Sequence, residues 1–290
     1  MLTIRKCAPL LVAITIFLVH STRAADKPDE KALRSIADAY LAKNFATPPS
    51  IGLPYDTALA AQHDYLKIIS PTFGKRAGYK VGLVTPVGQQ RYNISHPVRG
   101  VLFEKMLLPN GSKVPVKYGA RPIVEPDLLV RVKDEGLNDA KTIEEAARHL
   151  SEIICFIELA DGTFPTNAPM DAGVLVASNV GARAGVLGET RNMDASPDFI
   201  KSFGNMSLVF QDKDGKEVSR VAANGVMGHP LNAVLWFVND LKRTGEKVKA
   251  GEVISLGSPS PQVSPRAGDK FTLLYEGLPG GPLKASVTFE

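Results

Sequence analysis

Apolar positions along the chain fall into two textures, and the change comes near residue 75. Before it, Leu33, Ile36, Ala37, Tyr40 and Leu41 recur at helical spacing, predicting a helix between Asp29 and Phe45. Thr47-Pro48-Pro49-Ser50 stops that helix, and residues 57–69 predict a second. After Gly74, short apolar runs such as Tyr79-Lys80-Val81-Gly82-Leu83-Val84 and Gly100-Val101-Leu102-Phe103 are separated by Pro, Gly and Asn, the texture of strands.

Three later helices interrupt the strands. Thr142 and Glu145 form a capping box that opens a helix reaching Leu150. Residues 197–203 predict another. The third follows Gly228-His229-Pro230, with Leu231, Val234, Leu235, Val238 and Leu241 on one stripe, and ends near Gly245. Lys213-Asp214-Gly215-Lys216 is a hairpin turn, and the last strands cover 253–256, 270–275 and 285–289. The pattern predicts an α+β, β-rich protein: a helical N-terminal subdomain over 25–75, capping a β-rich domain of catalytic type over 76–290.

The first residues add an address. Arg5 and Lys6 precede an apolar stretch over 9–19, and Ser21-Thr22-Arg23-Ala24 ends in a small residue before the polar run from Ala25. The stretch is shorter than the roughly 20 apolar residues that span a bilayer, so it predicts a cleaved signal peptide over 1–24. A periplasmic or secreted protein, free of the membrane after cleavage, follows. Of the 34 basic side chains, Arg5, Lys6 and Arg23 leave with the signal, against 30 acidic ones. A nearly neutral body without a basic run excludes nucleic acid as a partner. Cys7 leaves too, so Cys155 stands alone between apolar neighbours, a buried thiol without a disulfide partner.

Candidate chemistry concentrates in Pro122-Ile123-Val124-Glu125-Pro126-Asp127-Leu128-Leu129. Residues i and i+2 of a strand share a face, so Glu125 and Asp127 point the same way. Like charges so close repel unless a cation, a proton or a basic side chain compensates. Glu158 closes a second apolar strand over 153–159, and three carboxylates on adjacent strands suit Mg²⁺ or Mn²⁺. Spacing alone leaves a solvated strand edge as the other reading. Pro126 lacks a ladder donor and predicts an edge strand or a bulge.

Gly78-Tyr79-Lys80-Val81-Gly82-Leu83, Gly100-Val101-Leu102-Phe103, Glu125-Pro126-Asp127, Ile157-Glu158-Leu159 and Gly228-His229-Pro230-Leu231-Asn232-Ala233 occur in that order. Together with Lys249-Ala250-Gly251-Glu252-Val253-Ile254 and Ala267-Gly268-Asp269-Lys270-Phe271, they resemble the 2-keto-4-pentenoate hydratase family, in the hydratase and decarboxylase branch of the fumarylacetoacetate hydrolase superfamily. The resemblance implies a flattened β-roll or barrel core and a Mg²⁺ or Mn²⁺ ion held by Glu125, Asp127 and Glu158. It implies a small 2-oxo acid as substrate, with Lys80 and Glu125 catalytic and Lys80, Leu128 and Asn179 binding substrate, in a homo-oligomer. The implied reaction is hydration of a 2-oxo-4-enoate through a metal-chelated enolate, with decarboxylation of a 2-oxo-enedioate as a relative. An exported, non-catalytic 2-oxo-acid or metal-binding protein on the same fold is the alternative.

The sequence also departs from that pattern. Asp127 stands where the family usually has Glu, and Val98 where hydratases often carry an acid. Asn179-Val180-Gly181 lacks the hydroxyl often found after the asparagine. The family's part in aromatic breakdown, a cytoplasmic setting, does not match an export signal. Arg99 and Arg183 remain open as carboxylate partners or surface residues.

Overall fold

A computed structural model describes residues 25–290; the segment expected to be a signal peptide, 1–24, lies outside the described residues. α1 (Glu30–Leu41) and α2 (Tyr55–Phe73) precede β1 (Arg76–Gly82). α3 (Pro86–Arg91) leads to β2 (Val98–Phe103) and the short β3 (Leu107–Leu108) and β4 (Lys113–Val114). The long strands β5 (Pro122–Val132) and β6 (Leu150–Asp161) are joined through α4 (Ile143–Arg148). Then come α5 (Ala172–Ala177), β7 (Ala184–Asn192), α6 (Pro197–Asn205) and the hairpin of β8 (Ser207–Gln211) with β9 (Glu217–Ala222). α7 (Pro230–Arg243), β10 (Val253–Ser255), β11 (Lys270–Glu276) and β12 (Leu283–Phe289) complete the described chain.

Side-chain caps start the helices where the sequence places them. Asp29 accepts from Ala32 N, Thr142 from Glu145 N, and the His229 ring from Leu231 N. The helix opened by Thr142 stops at Arg148, because Leu150 already belongs to β6. α3 and α5 were not foreseen: six residues each, they are too short to show a helical period.

Seven strands form one sheet in the order β2-β1-β10-β5-β6-β7-β3, and five form a second, β4-β12-β11-β8-β9. Tyr275 of β11 ties them together, its hydroxyl donating to Asp127 O and accepting from Phe156 N at 3.2 Å. α1 and α2 contribute Leu33, Tyr40 and Tyr65 to the same apolar cluster that holds Val124, Leu128 and Ile157 of the large sheet. Cys155 is buried there as well. No described helix is long and apolar enough to cross a membrane.

One expectation is corrected. β5 is an interior strand, between β10 and β6, although Pro126 lies within it. Val124 N donates to Val263 O and Leu128 O accepts from Leu256 N, so the even positions of β5 turn their polar groups away from β6. Pro126 follows that parity. Its missing N–H faces the stretch between Leu256, which still donates to Leu128 O, and the Val124–Val263 bridge, where no ladder bond is made.

Candidate active site

Alternation along β5 and β6 builds the site. Even-numbered Val124, Leu128 and Val130 enter the main core, as do Ile153, Cys155 and Ile157 of β6. The opposite face carries Ile123, Glu125 and Asp127 from one side and Phe156, Glu158 and Ala160 from the other. Glu125 stands directly across from Glu158, with Asp127 opposite Phe156 one rung away and Ile123 opposite Ala160 on the other side. Beyond Asp127 a second apolar cluster, including Leu129, Ile154 and Phe156, closes this face. Ahead of it opens a cleft of about 640 Å³ lined by Lys80, Glu125, Glu158, Arg121 and Gln262 among others.

Lys80 reaches this group from β1, where Tyr79 and Val81 face the core and Lys80 alternates to the other side. Its partners in register are Gly100 and Ser255. A methyl at Gly100 would stand 2.9 Å from Asn179 O and 3.2 Å from Lys80 Cγ, so glycine leaves room for both chains. The buried ammonium donates to Glu158 Oε1 and, at 3.1 Å, to Val180 O. That carbonyl sits on a left-handed run, Asn179, Val180 and Gly181, with φ of 63°, 55° and 66°. Two successive non-glycine residues in that region are strained, at roughly 1–2 kcal/mol each. Asn179 holds the run in place: its amide donates to Val101 O at 2.9 Å, and its Oδ1 accepts from Val101 N at 2.7 Å.

Charge balance is the dominant feature. Three carboxylates face one ammonium in a largely desolvated place. Burial, followed by the Glu158 charge, raises Glu125 to about 7. The same causes push Asp127 well above the carboxylate range. For Lys80 burial works to lower the pKa, but the charges of Glu158 and Glu125 outweigh it and raise the value above that of an ordinary lysine.

The three carboxylates share a face without converging on one point. Glu158 is taken by Lys80, Glu125 accepts from Gln262 Nε2 at 2.8 Å, and Asp127 accepts from Ser255 Oγ at 2.6 Å and from Leu128 N. Among the described residues no three His, Cys, Asp or Glu side chains form a ready metal cluster. The donor set nevertheless fits a hard divalent cation: all oxygen, largely buried, and two charges short of neutrality with Lys80 counted.

Two residues expected to bind substrate stand elsewhere. Leu128 is on the core face of β5, and the Asn179 amide is spent on Val101, so neither side chain lines the cleft. Arg99 is buried against Asp240, Thr244 and Glu246, and Arg183 lies over the Tyr40 ring. The arginines that do line the cleft are Arg91 and Arg121. Arg121 stands in the bend just ahead of β5, where strand alternation does not yet apply and no local pattern announces it. Val98, fully buried opposite Gly82, brings no polar group.

A seven-stranded sheet backed by a five-stranded one, with an acidic cleft on one face, is a fumarylacetoacetate-hydrolase-like fold. The chain matches 4-oxalocrotonate decarboxylase from Pseudomonas putida G7, in a structure complexed with magnesium and adipate, with a TM-score of 0.79 at 20% identity. That match covers 92% of this chain and all of the decarboxylase. By sequence it is 28% identical over 203 residues to 2-hydroxyhexa-2,4-dienoate hydratase from Comamonas testosteroni, covering 69% of this chain and 75% of the relative. It is 27% identical over 208 residues to 2-keto-4-pentenoate hydratase from Paraburkholderia xenovorans LB400, covering 71% and 75%. No family model matches. The chain is a homologue of the 2-keto-4-pentenoate hydratases, which are hydro-lyases.

Proposed function

We propose that this chain is a divalent-metal-dependent hydro-lyase of small 2-oxo acids that adds water to a 2-oxo-4-enoate. The observation that carries the reading is the set of half-buried Glu125 and buried Asp127 and Glu158 facing Lys80 at the end of one cleft. Glu125, Asp127 and Glu158 would hold the ion, Mg²⁺ or Mn²⁺. When bound, such an ion supplies Lewis-acid polarisation of the substrate's keto group.

The protein's own residues do the rest. Glu125, directly across from Glu158 at the cleft, is placed to give or take a proton, as the shift of a dienol to a conjugated ketone requires. Gln262 orients that carboxyl through its hydrogen bond. Lys80 is kept charged by its carboxylate neighbours and offers positive charge to a substrate oxygen. The apolar cluster beyond Asp127 excludes water from that end, which strengthens these interactions.

The test is direct. Purified residues 25–290 with Mg²⁺ or Mn²⁺ are mixed with 2-hydroxypenta-2,4-dienoate, and its ultraviolet absorbance is followed. Metal-dependent bleaching is expected; absorbance unchanged at high enzyme concentration overturns the hydratase reading. Decarboxylation of a 2-oxo-enedioate is the second reading, favoured by the fold match, and is distinguished by carbon dioxide release.

The proposal also includes export and self-association. Residues 1–24 have the composition of a cleaved signal, so the protein recovered from the cell envelope should begin near Ala25. Full-length protein in the cytoplasmic fraction would refute export. Light scattering of the purified protein tests the homo-oligomer.

A further inference from the structure

The three carboxylates of the site differ in how firmly the protein holds them. Glu125 and Glu158 line the cleft, and each accepts from the end of a long side chain, Gln262 or Lys80. Asp127 is fully buried and held along its whole length. Its carbonyl accepts from the Tyr275 hydroxyl. Its Oδ1 accepts from Leu128 N, and its Oδ2 from Ser255 Oγ at 2.6 Å. Among the described residues no other side chain donates to this carboxylate.

Ser255 closes β10 in the apolar run Val253-Ile254-Ser255-Leu256 and is itself inaccessible to solvent. Ile254 enters the main core, so Ser255 alternates to the face that carries the site. Register fixes its neighbours. Ser255 stands across from Lys80 of β1 on one side and from Leu129 of β5, two residues past Asp127, on the other. A hydroxyl buried among apolar side chains is destabilising unless it is hydrogen-bonded. A serine has one proton to donate, and this one goes to Asp127.

We propose that Ser255 is a positioning residue for the divalent cation: its hydroxyl aims the Asp127 carboxylate, and affinity for the ion depends on that bond. The inference rests on the cation reading of the site and extends it to a residue outside the ligand set. Each carboxylate oxygen has two lone pairs, so an oxygen that accepts from Ser255 keeps one for a metal. Holding the carboxylate beforehand means that the ion need not order it on binding. Glu125 and Glu158 can then close from the cleft side on a ligand already in place. Neutrality matters as well. A lysine at 255 would also orient Asp127, but it would cancel part of the negative charge that attracts the ion.

Mn²⁺ alone is the probe, titrated calorimetrically into the metal-free protein. Threonine and valine share a branched shape and differ in the hydroxyl, so Ser255→Thr and Ser255→Val impose similar bulk on β10. Ser255→Thr should bind within about threefold of the unaltered protein, and Ser255→Val at least about tenfold more weakly. Ser255→Ala, which adds no bulk, should show the same loss as Ser255→Val. Equal affinities for Ser255→Thr and Ser255→Val, or unaltered affinity in Ser255→Ala, overturn the proposal. A cycle with Asp127→Asn separates aiming from general loosening. Once Asp127→Asn is in place, adding Ser255→Ala should weaken Mn²⁺ binding by less than about twofold. Losses that multiply instead overturn the proposal and leave the cation site standing. If the unaltered protein takes up no Mn²⁺ at millimolar concentration, the cation reading fails and takes this inference with it.

Discussion

Asn179 and Val101 exchange two hydrogen bonds, so that a side-chain amide plays the part of a neighbouring strand along β2. This pairing fixes the left-handed turn whose Val180 carbonyl meets Lys80 Nζ. Asn179 is therefore a positioning residue. Asn179→Ala leaves the buried N–H and C=O of Val101 unpaired, and a loss of about 2–3 kcal/mol is expected. Thermal unfolding of the variant should show it, and kcat should fall more than KM rises. A variant with unchanged stability would show that the pairing is incidental.

Lys80 and Glu158 form a buried pair, and removing the cation leaves Glu158 among like charges. Lys80→Met should cost the metal-free protein about 3–5 kcal/mol, with activity lost. Millimolar Mn²⁺ should restore much of the stability by replacing the missing charge. The measurement is denaturant unfolding with chelator and with Mn²⁺; an equal deficit in both would count against a cation site at these carboxylates.

Stability should depend on pH through Glu125. Its folded-state pKa of about 7 lies above the ordinary 4.5, so between those values the folded chain binds more protons than the unfolded one. Stability from this group is therefore lost as pH rises through that window, and Asp127 contributes with the same sign. In chelator, the unfolding midpoint should be higher at pH 5 than at pH 8. Glu125→Gln should narrow the difference, and added Mg²⁺ should raise the pH 8 value. A midpoint that climbs toward pH 8 without metal would refute this account.

Gly100 is the point where two chains of the site crowd the backbone. The added methyl of Gly100→Ala must displace Asn179 O or the Lys80 stem. Overpacking of this kind costs about 1–3 kcal/mol. Activity should fall further than that loss of folding explains, which a kinetic assay well below the unfolding temperature would reveal.

Much of this site can be read from the sequence because period-two alternation is a local rule. Glu125, Asp127 and Glu158 fall on one face by counting, and the capped helices begin where Asp29, Thr142 and His229 place them. The same count assigns Leu128 to the core. Other features depend on partners distant in the chain. That Asn179 is consumed by Val101, 78 positions earlier, needs the intervening chain to fold back, and no local pattern announces it. Pro126 pointed to an edge strand because its missing donor is visible in the sequence, while the break in the neighbouring ladder is not.

That break shapes the cleft. From Arg131 to Val124 the chain takes seven steps along β5, while its neighbour takes ten from Val253 to Val263. The three surplus residues fall opposite Pro126, between the two registers. They belong to the stretch that carries Ser258, Ser260, Pro261 and Gln262 into the cleft lining, with Gln262 meeting Glu125. A residue with an N–H at 126 would offer a rung on which the adjoining chain could keep zipping, drawing that wall flat against the sheet. By withholding one donor, Pro126 acts as a spacer between two backbones and keeps the cleft beside Glu125 open.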